Sequence, residues 1–107
     1  MVKTLTPEEF VKRRADGVAM TLVDVREDWE TQLAPVPAQL LHIPMGQVAA
    51  RLGEIDRTRD AVIICRSGGR SLQVATYLEA QGFPSVFNLA GGILAWSRDL
   101  DPTIPQY

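Results

Sequence analysis

The apolar run Ala61 to Ile64 breaks off at Cys65-Arg66-Ser67-Gly68-Gly69-Arg70-Ser71, after which helical spacing takes over at Leu72, Ala75 and Leu78. A run that is apolar at every position, rather than at every second one, belongs to a strand covered on both faces. Such strands are parallel and lie between helices. The stretch therefore demands an α/β fold in which residues 65–71 turn from strand to helix at the carboxyl edge of the sheet, where open parallel sheets place ligands and chemistry. A lone cysteine after Val-Ile-Ile is, by itself, most simply a small core residue. Its neighbours argue otherwise, because Gly68 and Gly69 fill no core and Arg66 and Arg70 avoid one. Glycines allow successive backbone N–H groups to face one point, and the following helix start adds partial positive charge. Both favour an anion, and hence thiolate over thiol, so Cys65 reads as a reactive nucleophile.

The rest of the chain supplies the sheet that this turn needs. Thr6-Pro7-Glu8-Glu9 has the form of a capping box with proline at the first helical position, and Gly17 is the expected stop of the helix it opens. Met20 to Val23 predicts a buried strand ending at Asp24-Val25-Arg26-Glu27, a second polar strand end on the same rim. Asp28 is the expected cap of a short helix through Glu30 and Leu33, with Trp29 as a packing residue. Leu40 to Ile43 predicts a short strand with His42 as a structural histidine, followed by a helical turn or two over Gln47 to Leu52. Ser71 to Gln81 predicts a helix closed by Gly82, Val86 to Leu89 a further strand, and Gly91-Gly92 the start of a last helix through Trp96. The stretch from Asp99 to Tyr107 reads as extended.

Composition removes several function classes. At 107 residues and 46% hydrophobic content, residues 1–107 fit one domain with an adequate core. A formal net charge of −2 and the absence of a basic run give no general attraction to nucleic acid or an anionic membrane. One cysteine and one histidine, Cys65 and His42, are too few for a structural zinc site, and no cofactor-binding motif occurs. With no apolar leader at Met1 to Glu9, a cytoplasmic location is expected.

Three blocks, Asp24-Val25-Arg26-Glu27, Cys65 to Ser71, and Asn88-Leu89-Ala90-Gly91-Gly92-Ile93 with Trp96, together make the chain resemble a single-domain rhodanese. The resemblance implies a three-layer α/β/α fold with a five-stranded parallel sheet in order 3-2-4-5-1, the Cys65 strand central and Asp24 on its neighbour. It also implies sulfur transfer through a Cys65 persulfide. In that reading Arg66, Ser67, Gly68, Gly69, Arg70 and Ser71 bind substrate, while Asp24 and Arg26 brace the loop; Arg70 either contacts substrate or pairs with Asp24 or Glu30. The donor would be thiosulfate or a protein persulfide, and the acceptor cyanide, a thiol or a sulfur-carrier protein. One departure is Ala34 to Gln39, which lacks the two glycines many members carry before the third strand. The ending Asp101 to Tyr107 resembles rhodanese domains fused to adenylating enzymes of sulfur-carrier pathways.

Two other readings remain open from sequence. A cysteine-dependent phosphatase or arsenate reductase also uses a strand, a thiolate loop, an arginine and a helix. Those enzymes resemble one another in placing five residues between cysteine and arginine, whereas Cys65 and Arg70 enclose four, and this loop has no acid to protonate an alkoxide. A non-catalytic interaction module with the same fold commonly lacks the cysteine that is present here.

Overall fold

The computed structural model describes residues 1–107. Strands β1 (Lys3–Leu5), β2 (Met20–Asp24), β3 (Leu41–His42), β4 (Asp60–Ile64) and β5 (Val86–Leu89) form one parallel sheet in the order β1-β5-β4-β2-β3. Read from the other edge this is the expected order. It places β4, the strand that delivers Cys65, between β2 and β5. Four helices complete the chain: α1 (Pro7–Ala15), α2 (Asp28–Leu33), α3 (Gly69–Ala80) and α4 (Gly92–Asp99). None is long and apolar enough to cross a membrane.

Alternation along the central strand explains the layers. Val62 and Ile64 join Leu22, Phe87, Leu89, Phe10 of α1 and Ile93 and Trp96 of α4 in one buried cluster. Ala61, Ile63 and Cys65 face the other way, into a cluster with Val23, Val25, Val86 and Val74, Ala75 and Leu78 of α3. Both faces of β4 are thus covered, as its unbroken apolar run requires, and Cys65 stands on the α3 side at the strand's end.

Local signals account for most element ends. Thr6 Oγ1 accepts from Glu9 N at 3.1 Å while Thr6 N donates to the Glu9 carboxylate at 2.9 Å, completing the box that starts α1, and Gly17 takes φ +86° just beyond it. Other expectations need correction. The residue before α2 is Glu27, not Asp28, and its N–H donates to Glu30 at 2.8 Å. Trp29 is 61% exposed, its only aromatic contact an edge-on one with Tyr107, so it does not pack the core. The predicted helical turns after β3 are two short 3-10 turns, Met45–Gln47 and Leu52–Glu54. Helix α3 starts at Gly69, two residues earlier than its spacing suggests, which puts Arg70 and Ser71 in its first turn. The segment after α4 folds back instead of running free: Ile104 is buried and Tyr107 reaches α2.

Candidate active site

The loop after β4 is shaped from outside by the loop after β5. Ile93 N donates to the Cys65 carbonyl at 2.9 Å and Leu94 N to the Arg66 carbonyl at 3.1 Å, so the first turn of α4 is spent on the backbone of the thiol loop. Gly92, at φ +60°, lies against those same carbonyls, where a Cβ would collide with both. With the carbonyls pinned outward, the following N–H groups turn inward. Gly68, at φ +109°, makes the reversal that starts α3 and donates its N–H to Cys65 Sγ at 3.1 Å.

Cys65 is 1% exposed and unpaired. Its Sγ lies 3.2 Å from Ser71 Oγ, a fully buried hydroxyl in the first turn of α3. Burial pushes the thiol up, but the Ser71 hydroxyl, once turned to the sulfur, and the amides of Ser71, Gly68 and Ser67 push it down further, so it ionises below the ordinary thiol range. Ser71 Oγ donates in turn to Asn88 Oδ1 at 2.6 Å, and Asn88 Nδ2 donates to the Gly68 carbonyl at 3.2 Å. Asn88 thereby joins the middle strand end to both sides of the loop.

The two loop arginines have different surroundings. Arg70 makes a two-pronged pair with Glu30 of α2, both contacts at 2.7 Å. That pair holds the Glu30 carboxyl far below its ordinary 4.5, to about 2, because the Arg70 hydrogen bond outweighs burial, with help from the Glu27 amide and the Tyr107 hydroxyl. Arg66 pairs with no side-chain carboxylate; its guanidinium donates to the main-chain oxygen of Tyr107, the last residue of the chain, and lies 5.3 Å from the centre of the Tyr107 ring.

Asp24 and Arg26 stand one step back. Arg26 is wholly buried, bonded to Asp24 through Nε and Nη2 (2.8 Å at the closest), to the Ala34 carbonyl at 2.9 Å and to the Tyr107 hydroxyl at 3.1 Å. Tyr107 passes that contact on to Glu30 at 2.9 Å. The carboxylate that meets the loop is therefore Glu30, with Asp24 and Arg26 holding its surroundings. His42 Nε2 meets the Arg26 carbonyl at 2.7 Å and has a supporting place.

Of the candidate residues, Cys65, Ser67, Gly68 and Ser71 meet at the sulfur, and Gly69 and Arg70 open α3 beside it. Two participants carried little sequence signal. Asn88 stood in the third motif block without an assigned role, and Tyr107 sits in a segment without periodicity. The broadest surface depression, about 370 Å³ between Arg14 and Arg59, lies where β2 and β4 begin and contains none of these groups. Chemically, the arrangement offers a stabilised thiolate beneath inward amides, with Arg66 nearby and paired to no side-chain carboxylate.

Residues 6–99 match the family described as the rhodanese-like domain. A sulfurtransferase of Allochromatium vinosum is 43% identical over 92% of this chain and 91% of its own length. A probable adenylyltransferase/sulfurtransferase of Mycobacterium tuberculosis is 30% identical over 97% of this chain, which spans only 27% of that relative. Among solved structures, a rhodanese-like domain protein from Staphylococcus aureus superposes with a TM-score of 0.81 at 33% identity, over 89% of this chain and 91% of that one.

Proposed function

Because the chain belongs to the rhodanese-like domain family, of the sulfurtransferase kind, we propose that it moves a sulfane sulfur through a persulfide on Cys65, taking it from thiosulfate or a persulfide donor. The observation that carries this reading is the cradle itself, in which the Gly68 amide donates to the Cys65 sulfur while the Cys65 and Arg66 carbonyls are held away by α4. The Cys65 thiolate attacks the outer sulfur of thiosulfate; the new S–S bond forms as the donor's S–S bond breaks, and sulfite leaves with the electron pair. The negative charge left on the outer persulfide sulfur is then in reach of the loop amides, which stabilise it in a dry site. Cyanide or an acceptor thiolate removes that sulfur and returns Cys65 as thiolate, a ping-pong cycle that needs no cofactor.

Arg66 is assigned to the anionic donor, since it is the loop arginine without a side-chain carboxylate partner. Arg70, matched by Glu30, is assigned to holding the loop. Asp24 and Arg26 brace that pair from behind. A sulfur-carrier protein is an acceptor in keeping with the adenylyltransferase/sulfurtransferase relative, and the free thiol of Cys65 suits the reducing cytoplasm. The phosphatase alternative is disfavoured because the cradle holds no side chain able to protonate an alkoxide.

Intact-protein mass after incubation with thiosulfate tests the proposal. One added sulfur atom, removed by cyanide with release of thiocyanate and absent in Cys65→Ser, is the expected result. A protein that stays unmodified, or a Cys65→Ser variant that still forms thiocyanate above a few per cent of the natural rate, overturns it.

A further inference from the structure

Counting hydrogens around Ser71 leads beyond the cradle. Asn88 Nδ2 donates to the Gly68 carbonyl, which fixes the orientation of the side-chain amide, because the flipped form would set oxygen against oxygen. Asn88 Oδ1 therefore faces Ser71 Oγ, 2.6 Å away. Between two oxygens so close there must be one hydrogen, and only the hydroxyl has one to give. That proton being committed, Ser71 Oγ shows a lone pair to Cys65 Sγ at 3.2 Å. The contact is favourable when sulfur is the donor, as S–H, and unfavourable when sulfur is an anion. The hydroxyl can turn to a thiolate only by abandoning Asn88 Oδ1.

We propose that Asn88 is a positioning residue which, through Ser71, resists the free thiolate and so favours the loaded form of Cys65. This rests on the persulfide reading. In a persulfide Sγ is the inner, uncharged sulfur and asks no proton of Ser71, while the charge sits on the outer sulfur against the amides. The Ser71–Asn88 bond then survives in both the thiol and the persulfide and is broken only in the naked thiolate. A donor's sulfur is kept until an acceptor arrives because its removal regenerates the one state that costs this bond. When the resting thiol ionises, its proton goes to solvent base and the hydroxyl swings from Asn88 to sulfur.

The surrounding charges do not supply this bias. On the loop stand Arg66 and Arg70, the latter matched by Glu30 of α2; on β2, Asp24 is matched by Arg26; His42 of β3 serves the Arg26 carbonyl. The ends of β5 and α4 that meet Cys65, Asn88 to Trp96, carry no charged side chain. Asn88 thus acts by direction of a proton rather than by charge.

The test is the pH profile of Cys65 alkylation by iodoacetamide, which needs no sulfurtransferase activity, paired with the rate at which preloaded protein loses its sulfur to cyanide. Asn88→Leu frees the Ser71 proton, so alkylation at pH values below the midpoint is expected to be about threefold faster, the size of one hydrogen bond's net contribution, and sulfur discharge faster by a similar factor. Ser71→Ala removes the relay, and adding Asn88→Leu to it is expected to change neither rate. Asn88→Asp, whose carboxylate takes the same proton more strongly and adds a like charge, is expected to slow alkylation. Should Asn88→Leu slow alkylation, or act as strongly in the Ser71→Ala background as alone, the inference is overturned. If the profiles behave as described but the natural protein takes up no sulfur, the proton assignment stands and the persulfide reading, with the retention role built on it, falls.

Discussion

Two of the strand-to-helix turns in this molecule are written almost alike, yet only one is a site. After β4 comes Gly68-Gly69 and the start of α3; after β5 comes Gly91-Gly92 and the start of α4, and each helix is preceded by a glycine in the left-handed region, φ +109° at Gly68 and +72° at Gly91. Both present free N–H groups at a helix start. At α4 those groups are spent on the Cys65 and Arg66 carbonyls. At α3 they point at a sulfur atom. A glycine pair at a helix start therefore announces available amides, and what receives them decides whether the place is structural or chemical. In this fold the spent turn creates the open one, since it is the pinning of two carbonyls that sends the next amides inward.

The largest expected effect lies on the closed side. Gly92→Ala would place a Cβ 2.6 Å from the Arg66 carbonyl carbon, and nearer still to the carbonyl oxygens of Cys65 and Arg66, all backbone atoms that cannot swing aside. A destabilisation of about 4 kcal/mol is expected in chemical denaturation, with persulfide loading lost alongside it. A variant as stable and as readily loaded as the natural protein would show that the two loops do not support each other.

Acid should separate the two turns next. The α4 turn is held by peptide groups that do not titrate, whereas the α3 turn is also tied by Arg70 to Glu30. The Glu30 carboxyl is depressed when folded, from 4.5 to about 2, so its contribution is fully present above about 4.5 and disappears as pH falls toward about 2. The depression corresponds to about 3 kcal/mol. Stability followed by denaturant titration between those pH values should show this loss, and Glu30→Gln should be less stable at neutral pH but flatter in acid. An acid limb unchanged in Glu30→Gln would assign it elsewhere.

The smallest effect belongs to Gly69, the second glycine of the open pair. A Cβ there meets nothing within 4 Å, and its backbone is not left-handed. Gly69→Ala should raise stability by about 0.5 kcal/mol, through a less flexible unfolded chain. A loss of more than about 1 kcal/mol, against the usual range of surface substitutions, would mean that this position, too, is strained.

What could be read from the sequence follows the same division. Apolar runs at β2, β4 and β5 are strong because both of their faces are buried, and they announced a parallel sheet with Cys65 at a strand end, while the strand order came from the family resemblance. Strand β1 offered no such pattern. It is three residues long at a sheet edge, with two of the three exposed, and it pairs through backbone with Phe87 to Leu89. Trp29 misled because a large ring is normally buried, while the residue of α2 that goes inside is Glu30, taken there by Arg70. The loop motif pointed at Cys65 and Ser71 directly. Asn88 and Tyr107 act by proximity across 17 and 77 positions of chain, and contacts of that range leave no local periodicity to detect.

The order of the parts along the chain also bears on how the thiol comes into being during synthesis. Cys65 precedes everything that shapes its surroundings from the β5 side: Asn88, which steadies Ser71 and Gly68, and Gly92, Ile93 and Leu94, which pin the carbonyls. A chain that has not yet extended past residue 94 has the amides of the loop but not the groups that fix them in place from the β5 side. The final shape of the thiol's surroundings is thus set last, with the docking of β5 and α4.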